Sequence, residues 1–150
     1  MTDRETRQEL LDGIAAAIDQ LATALAALGT AYELLDERSA DRLEEELFGP
    51  VQKAYGRAKR TYAGFAQRYS LAAREFEQPS STSGSRDVRR FLDRAIEAVD
   101  EAEREFVELQ DSMLPVEYGD AELRAGLADV RSLVANVRAS ARQFTRTLGR

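Results

Sequence analysis

Apolar residues recur at alternating steps of three and four in four long segments of this chain, and this spacing limits the possible folds more than any other feature. Such a heptad pattern places apolar side chains along one face of an α-helix. Three segments keep the pattern without a slip, and the second takes one extra step of four. The repeating positions are Leu11, Ile14, Ile18, Leu21, Leu25, Leu28, Tyr32 and Leu35; Val51, Ala54, Ala58, Tyr62, Phe65, Tyr69, Ala72 and Phe76; Val88, Leu92, Ala95, Val99, Ala102, Phe106, Leu109 and Met113; and Leu123, Leu127, Val130, Val134, Val137, Ala141, Phe144 and Leu148.

Four helices with apolar faces can bury those faces against one another. Further apolar residues beside the repeats, such as Leu10, Phe91 and Leu133, widen each face beyond the narrow stripe of a two-stranded coiled coil. With 150 residues the chain can bury a core without disulfides or a structural metal. The sequence therefore predicts one all-α domain over residues 1–150, an antiparallel up-down-up-down four-helix bundle with a short corner helix between helices 1 and 2.

Glycine, proline and serine mark where these helices should end. Residues 78–85 are rich in Pro, Ser, Thr and Gly, which predicts a loop, and residues 115–119 form a second break. We expect the corner helix to stop at Gly49, with Pro50 at the first position of helix 2. The alternative is one unbroken helix over residues 3–48, which would protrude and favour dimerisation. The expected helices cover about 3–36, 40–48, 50–77, 86–114 and 120–148.

The chain contains no cysteine and no histidine, which removes zinc sites, thiol nucleophiles and imidazole proton relays. The repeating positions carry apolar residues or tyrosine, and an unpaired buried carboxylate among them would cost several kcal/mol. Glu105, Glu108 and Asp111 share a helical stripe that could suit Mg²⁺. Core positions Phe106 and Leu109 run beside them, so we interpret these acids as a solvated face. We expect a protein that is not an enzyme and holds no cofactor or metal.

Alanines at several repeating positions leave open whether the interior contains a cavity. They could leave a hollow for an apolar ligand, or the large aromatic residues at other positions could fill that space. We favour the filled core, because large and small residues that alternate across layers are typical of packed interiors. The alternative function is therefore the binding of an apolar small molecule or lipid inside the bundle, which an empty cavity beside the alanines would support.

Charge is unevenly distributed along the chain, whose formal net charge is −6. Acidic residues dominate positions 1–50, basic residues dominate 51–78, and positions 130–150 contain arginine but no acid. In an up-down-up-down bundle, the corner helix and residues 105–122 would form an acidic end, opposite a basic end that would also hold Arg68 and Arg74. The first candidate interaction surface lies at that basic end and comprises Arg86, Arg89, Arg90, Arg94, Arg138, Arg142 and Arg146.

Helix 2 holds a second candidate surface, where cations, a tyrosine outside the repeat and a glycine lie close together. Glycine inside a helix lowers stability by roughly 0.5 to 1 kcal/mol relative to alanine, so Gly56 and Gly64 require a reason. Docking of another backbone or a phosphate is one reason; close packing against a neighbouring helix, which we favour, is the other. The residues of this second surface are Lys53, Tyr55, Gly56, Arg57 and Arg60.

These features predict a non-catalytic helical interaction protein, such as an adaptor, a chaperone-like protein or an assembly subunit, that docks partners through its charged ends or through helix 2. We expect a protein partner or a homo-oligomer, because the negative net charge and the absence of a recognised motif argue against nucleic acid. The most apolar stretch, residues 21–31, is shorter than the roughly 20 residues of a membrane span. A chain without cysteine also fits a reducing compartment. We therefore expect a cytoplasmic protein without a transmembrane segment.

Overall fold

A computed structural model describes residues 1–79 and 84–148 of this protein. Every regular element in these two ranges is helical, which confirms the all-α prediction. A five-residue π turn, Glu44–Phe48, joins α2 to α3 without a break. The helices are α1 Asp3–Leu34, α2 Glu37–Leu43, α3 Gly49–Arg68, α4 Val88–Asp111, α5 Leu114–Glu117 and α6 Ala121–Leu148.

Short polar side chains begin several of these helices. The Thr2 hydroxyl caps α1, the Asp36 carboxylate accepts from the Ser39 N–H group at 2.9 Å, and the Asp120 carboxylate accepts from the Leu123 N–H group at 2.8 Å. Such caps satisfy backbone donors that have no partner in the first turn of a helix. Asp120 therefore begins α6 within one residue of the predicted start.

α1 ends at Leu34, close to the predicted end near residue 36, but the predicted stop at Gly49 is wrong because the helix continues through this residue into α3. Leu35 has an extended backbone, so the alternative of one helix over residues 3–48 is also wrong. Pro50 lacks an N–H group, and in a regular helix its ring would collide with the carbonyl group four residues earlier. The π turn relieves this conflict: the Gly49 N–H group donates to the carbonyl oxygen of Glu44, five residues back, and the helix continues.

α3 ends well before residue 77, where the sequence predicted its end. Ser70 has a left-handed backbone with a φ of 51°, and the Leu71 N–H group bonds to the carbonyl oxygen of Ala66 at 2.9 Å. This is the pattern of a Schellman motif, in which a left-handed residue closes the helix. The apolar repeat was misleading because Leu71 and Phe76 still pack on the core, although the backbone there is not helical.

α1 packs against both α3 and α4 and is antiparallel to each of them. A Cβ atom at Gly13, near the start of α1, would lie 2.7 Å from the side chain of Leu109, near the end of α4. The guanidinium group of Arg7 lies 4.5 Å from the ring centroid of Tyr69, directly after α3. The start of α1 thus meets the ends of both neighbours.

α6 packs against the other sides of α3 and α4 and is antiparallel to both. Arg68 at the end of α3 pairs with Asp120 directly before α6, and Arg131, early in α6, bonds to Gln110, near the end of α4. α3 and α4 therefore run in the same direction, and the order of the four long helical segments is up, down, down, up. The predicted up-down-up-down order is wrong because the chain turns back after α3, and α4 begins at the opposite end of the molecule from the end of α3.

The first part of this return, residues 69–79, is called the strap below. The Gln8 side chain makes two hydrogen bonds with the backbone of Ala72, each 2.9 Å long. The ring of Phe76 packs edge-on against Tyr62, with ring centroids 4.9 Å apart. The strap therefore lies over α1 and α3 and holds these two helices together.

Most of the repeating positions are buried, and the clearest exceptions lie near helix ends. Tyr32 is 39% exposed, and the buried position beside it is occupied by Ala31. A helix of 3.6 residues per turn drifts against a strict heptad repeat, so the predicted face turns away from the core along the length of α1. Met113 is 47% exposed because α4 has already ended, and its backbone is left-handed with a φ of 66°.

Candidate interaction surfaces

The interior is packed beside the alanines of the apolar repeat, where the sequence left open a cavity for an apolar ligand. A space lined by Leu28, Val51, Ala95 and Ala141, among others, has a volume of about 10 Å³, which barely admits one water molecule. The described residues also contain no group of three or more acids suited to hold a metal ion. These findings direct attention to the surface.

One carboxylate on the expected solvated face is less exposed than the sequence predicted. Glu108 and Asp111 are exposed, but Glu105 is half-buried and one of its carboxylate oxygens has no hydrogen-bond partner. Burial raises the pKa of Glu105, and the negative charges of Glu101 and Glu108 raise it further. This arrangement is a local source of instability at neutral pH and resembles no metal site.

Arg138, a predicted member of the first surface, contributes to helix packing. Its Nε atom donates to Asp100 at 2.7 Å and its Nη1 atom to Glu103 at 2.8 Å, which ties α6 to α4. The hydrogen bonds with these two carboxylates raise the pKa of the guanidinium group. This side chain is therefore already engaged within the chain, unlike the other predicted members of the first surface.

The other six arginines of the first surface lie together where α4 begins and α6 ends. All six are exposed, and none makes an ion pair within the described ranges. Elsewhere, Arg57, Arg74 and Arg104 each pair with a carboxylate. The six residues form the arginine cluster: Arg86, Arg89, Arg90, Arg94, Arg142 and Arg146.

The acids of the corner helix lie at the same end of the molecule as the arginine cluster. The Arg42 guanidinium in α2 lies 5.3 Å from the ring centroid of Phe144, near the end of α6. Leu47 of the π turn and Ala95 of α4 line the same small interior space. The exposed acids of this region form the acidic corner: Glu37, Asp41, Glu44 and Glu45.

The predicted separation into an acidic and a basic end is therefore wrong. It depended on directions of α4 and α6 that are both opposite to the actual ones, and reversing these two helices exchanges the ends of their charges. Arg68 lies at the opposite end from the arginine cluster, where it pairs with Asp120 and Glu122. The hydrogen bond from Arg68 lowers the pKa of Asp120.

The structure divides the second candidate surface between two faces of α3. Lys53, Arg57 and Arg60 line a groove between α3 and α6, in which Arg57 bonds to Asp129 at 3.0 Å. Tyr55 lies elsewhere, because it is only 7% exposed. Burial raises the pKa of Tyr55, and the charge of Asp19 on α1 adds to this effect. Tyr55 is therefore a core residue and not part of the groove.

Close helix packing occurs at a glycine that the sequence did not single out. A Cβ atom at Gly56 would meet only the Arg60 side chain at 3.5 Å, and one at Gly64 would meet only another arginine of the same helix. The preferred explanation of these two glycines is therefore wrong. A Cβ atom at Gly126 in α6 would lie 2.2 Å from the Thr61 hydroxyl oxygen of α3, so this glycine allows the two helices to approach.

Among the helices of the described ranges, α1 is long and apolar enough to cross a membrane by length and composition alone. However, 61% of its most apolar window is buried inside the molecule, as is usual for a core helix. Its buried residues lie on more than one face, because α1 packs against both α3 and α4.

No protein-family model matches this chain, and comparisons with curated proteins and with solved structures found no match. Function must therefore be argued from the surface of the molecule.

Proposed function

We propose that this chain is a non-catalytic helical interaction protein, built as a four-helix bundle with one crossover connection, that docks an acidic protein surface through the arginine cluster. The observation that supports this proposal is six exposed arginines without an ion pair among the described residues, five on two adjacent helices and Arg86 directly before one of them. Arginine presents planar donors that match carboxylates in a bidentate manner. A partner with clustered carboxylates would complete the hydrogen bonding of these side chains.

The spacing within the cluster supports a role in binding over a role in folding. Arg90 and Arg94 lie one turn apart on α4, and Arg142 and Arg146 lie one turn apart on α6. Like charges at this spacing destabilise a helix by about 0.2 to 0.5 kcal/mol per pair. Bound carboxylates would turn this repulsion into attraction.

The partner class follows from the charge of the whole chain. A net charge of −6 repels a polyanion at long range, so nucleic acid is a poorer match than a protein with a local acidic patch. The small interior space of about 10 Å³ gives no support to the alternative of an apolar ligand.

A capture experiment with two charge-matched variants tests the proposal. The tagged full chain, an Arg90→Glu/Arg94→Glu variant and a Lys53→Glu/Arg60→Glu variant are each incubated with native lysate treated with nuclease. Both variants change the net charge equally, but the second alters only the α3–α6 groove. We expect the groove variant to retain the partner and the cluster variant to lose it. Equal retention or equal loss by the two variants would contradict the proposal.

A further inference from the structure

The arginine cluster and the acidic corner lie at the same end of the molecule, on different elements of the chain. α4 packs against α1 and α6, whereas α2 packs against α1 and the π turn packs against α1, α3 and α6. α2 also reaches the end of α6, where the Arg42 guanidinium lies 5.3 Å from the ring centroid of Phe144. No ion pair among the described residues joins the two groups.

The charges of both patches are exposed: all six arginines of the cluster and all four acids of the corner face solvent. Each patch therefore remains available to a complementary surface.

We propose that the arginine cluster binds the acidic corner of a second copy of this chain. A two-fold axis that crosses this end of the molecule between the two patches would place each cluster on the acidic corner of the other copy. The same contact then forms twice, which is the usual symmetry of a closed homodimer. This inference rests on the proposed function and names the acidic partner.

A second copy satisfies both patches, and a foreign acidic protein would satisfy only one. An acidic partner seated on the arginine cluster would also approach the exposed Asp41 and Glu45 of the same end, which would repel it. Tyr32 lies at this end, 39% exposed and edge-on to Phe48, with ring centroids 6.4 Å apart. Its exposed ring adds an aromatic contact surface at this end, and aromatic residues are enriched at protein interfaces.

The mass of the full chain in solution tests this proposal by light scattering after size-exclusion chromatography. At low salt we expect twice the chain mass of 16.7 kDa, and in high salt a return to the chain mass as the ion pairs are screened. Arg90→Glu/Arg94→Glu and Asp41→Lys/Glu45→Lys should each be monomeric at low salt, because the first lowers the charge of the cluster from +6 to +2 and the second lowers that of the acidic corner from −4 to zero, and the introduced charges repel the opposing patch. Lys53→Glu/Arg60→Glu, which lies outside both patches, should remain dimeric.

Mixing the two monomeric variants provides the decisive measurement. In a mixed pair, one contact joins the unchanged cluster of one chain to the unchanged corner of the other, and the second contact brings the introduced glutamates to the introduced lysines. An equimolar mixture should therefore regain the dimer mass. Circular dichroism of each variant verifies that the loss of the dimer is not a loss of folding.

Three results would overturn the inference: a wild-type chain that stays monomeric at low salt, a dimer that neither variant weakens, or a mixture that stays monomeric. These results would leave the proposed function itself untouched. If the chain is monomeric but Arg90→Glu/Arg94→Glu still loses a partner captured from lysate, the cluster docks a foreign protein and only the self-association is wrong.

Discussion

The close approach of α3 and α6 at Gly126 predicts that substitution by alanine has opposite effects on stability at Gly126 and at Gly56. Alanine at Gly126 would place a Cβ atom 2.2 Å from the Thr61 hydroxyl oxygen and 3.0 Å from its Cβ atom, so one helix must shift. Overpacking of this kind costs about 1 to 3 kcal/mol. The higher helix propensity of alanine returns up to about 1 kcal/mol. We therefore expect Gly126→Ala to lower the free energy of unfolding by about 1 to 2 kcal/mol.

Gly56→Ala is the matched control, because an added methyl group there meets only a flexible arginine. It should raise the free energy of unfolding by about 0.5 to 1 kcal/mol through helix propensity alone. Urea denaturation followed by circular dichroism measures both variants, and a change of 1 kcal/mol corresponds to about 2 to 4 °C in melting temperature for a chain of this size. A Gly126→Ala variant as stable as Gly56→Ala would refute the close approach of α3 and α6. Adding Thr61→Ala to Gly126→Ala should recover part of the loss.

Three further substitutions test other contacts. Ser70→Gly should stabilise the protein by about 0.5 to 1 kcal/mol in urea denaturation, because glycine adopts the left-handed conformation at the end of α3 more readily; a loss of stability would contradict that geometry. Arg138→Met should destabilise by about 1 kcal/mol, less at high salt, because it removes the partly exposed ion pairs with Asp100 and Glu103. Because burial raises the pKa of Glu105, its ionisation opposes folding as the pH rises above its ordinary value of 4.5. Glu105→Gln should therefore stabilise the protein at neutral pH but not below pH 4.5, and an equal effect at both pH values would contradict this.

The apolar repeat predicted the helices well wherever its period and the capping residues agreed. α1 and α6 begin and end within about two residues of the predicted bounds, because their buried residues follow one another without interruption and Asp120 supplies a cap. α3 shows the limit of this approach. Phe76 continues the spacing of the repeat, yet it packs on the core from the strap, where the backbone is not helical.

The two candidate surfaces were predicted less well, because neighbours in space decide which charged side chains are free. Nothing in the sequence near Arg138 distinguishes it from Arg142, but the first faces Asp100 across the helix interface and the second is exposed. Likewise, Tyr55 lies among cations in the sequence and is buried in the structure. Both distinctions depend on which helix packs against which face.

The direction of α4 connects the fold to the proposed function, and the chain length after α3 explains why this direction is possible. Between Arg68 and Val88, residues 69–87 can span about 60 Å when extended, whereas α3 and α4 are about 30 to 36 Å long. The connection is therefore long enough to return along the whole molecule. The heptad spacing cannot decide the direction of the next helix, because it is the same for both directions. Had helix 2 continued to residue 77, the short loop that remained would have required α4 to run back antiparallel to it. The early closure of α3 at Ser70 thus lets α4 begin at the end where α2 lies, and it brings the arginine cluster and the acidic corner to one end of the molecule. A chain in which α4 and α6 both ran the opposite way would carry the arginines and the acids at opposite ends, where a single two-fold contact could not satisfy both.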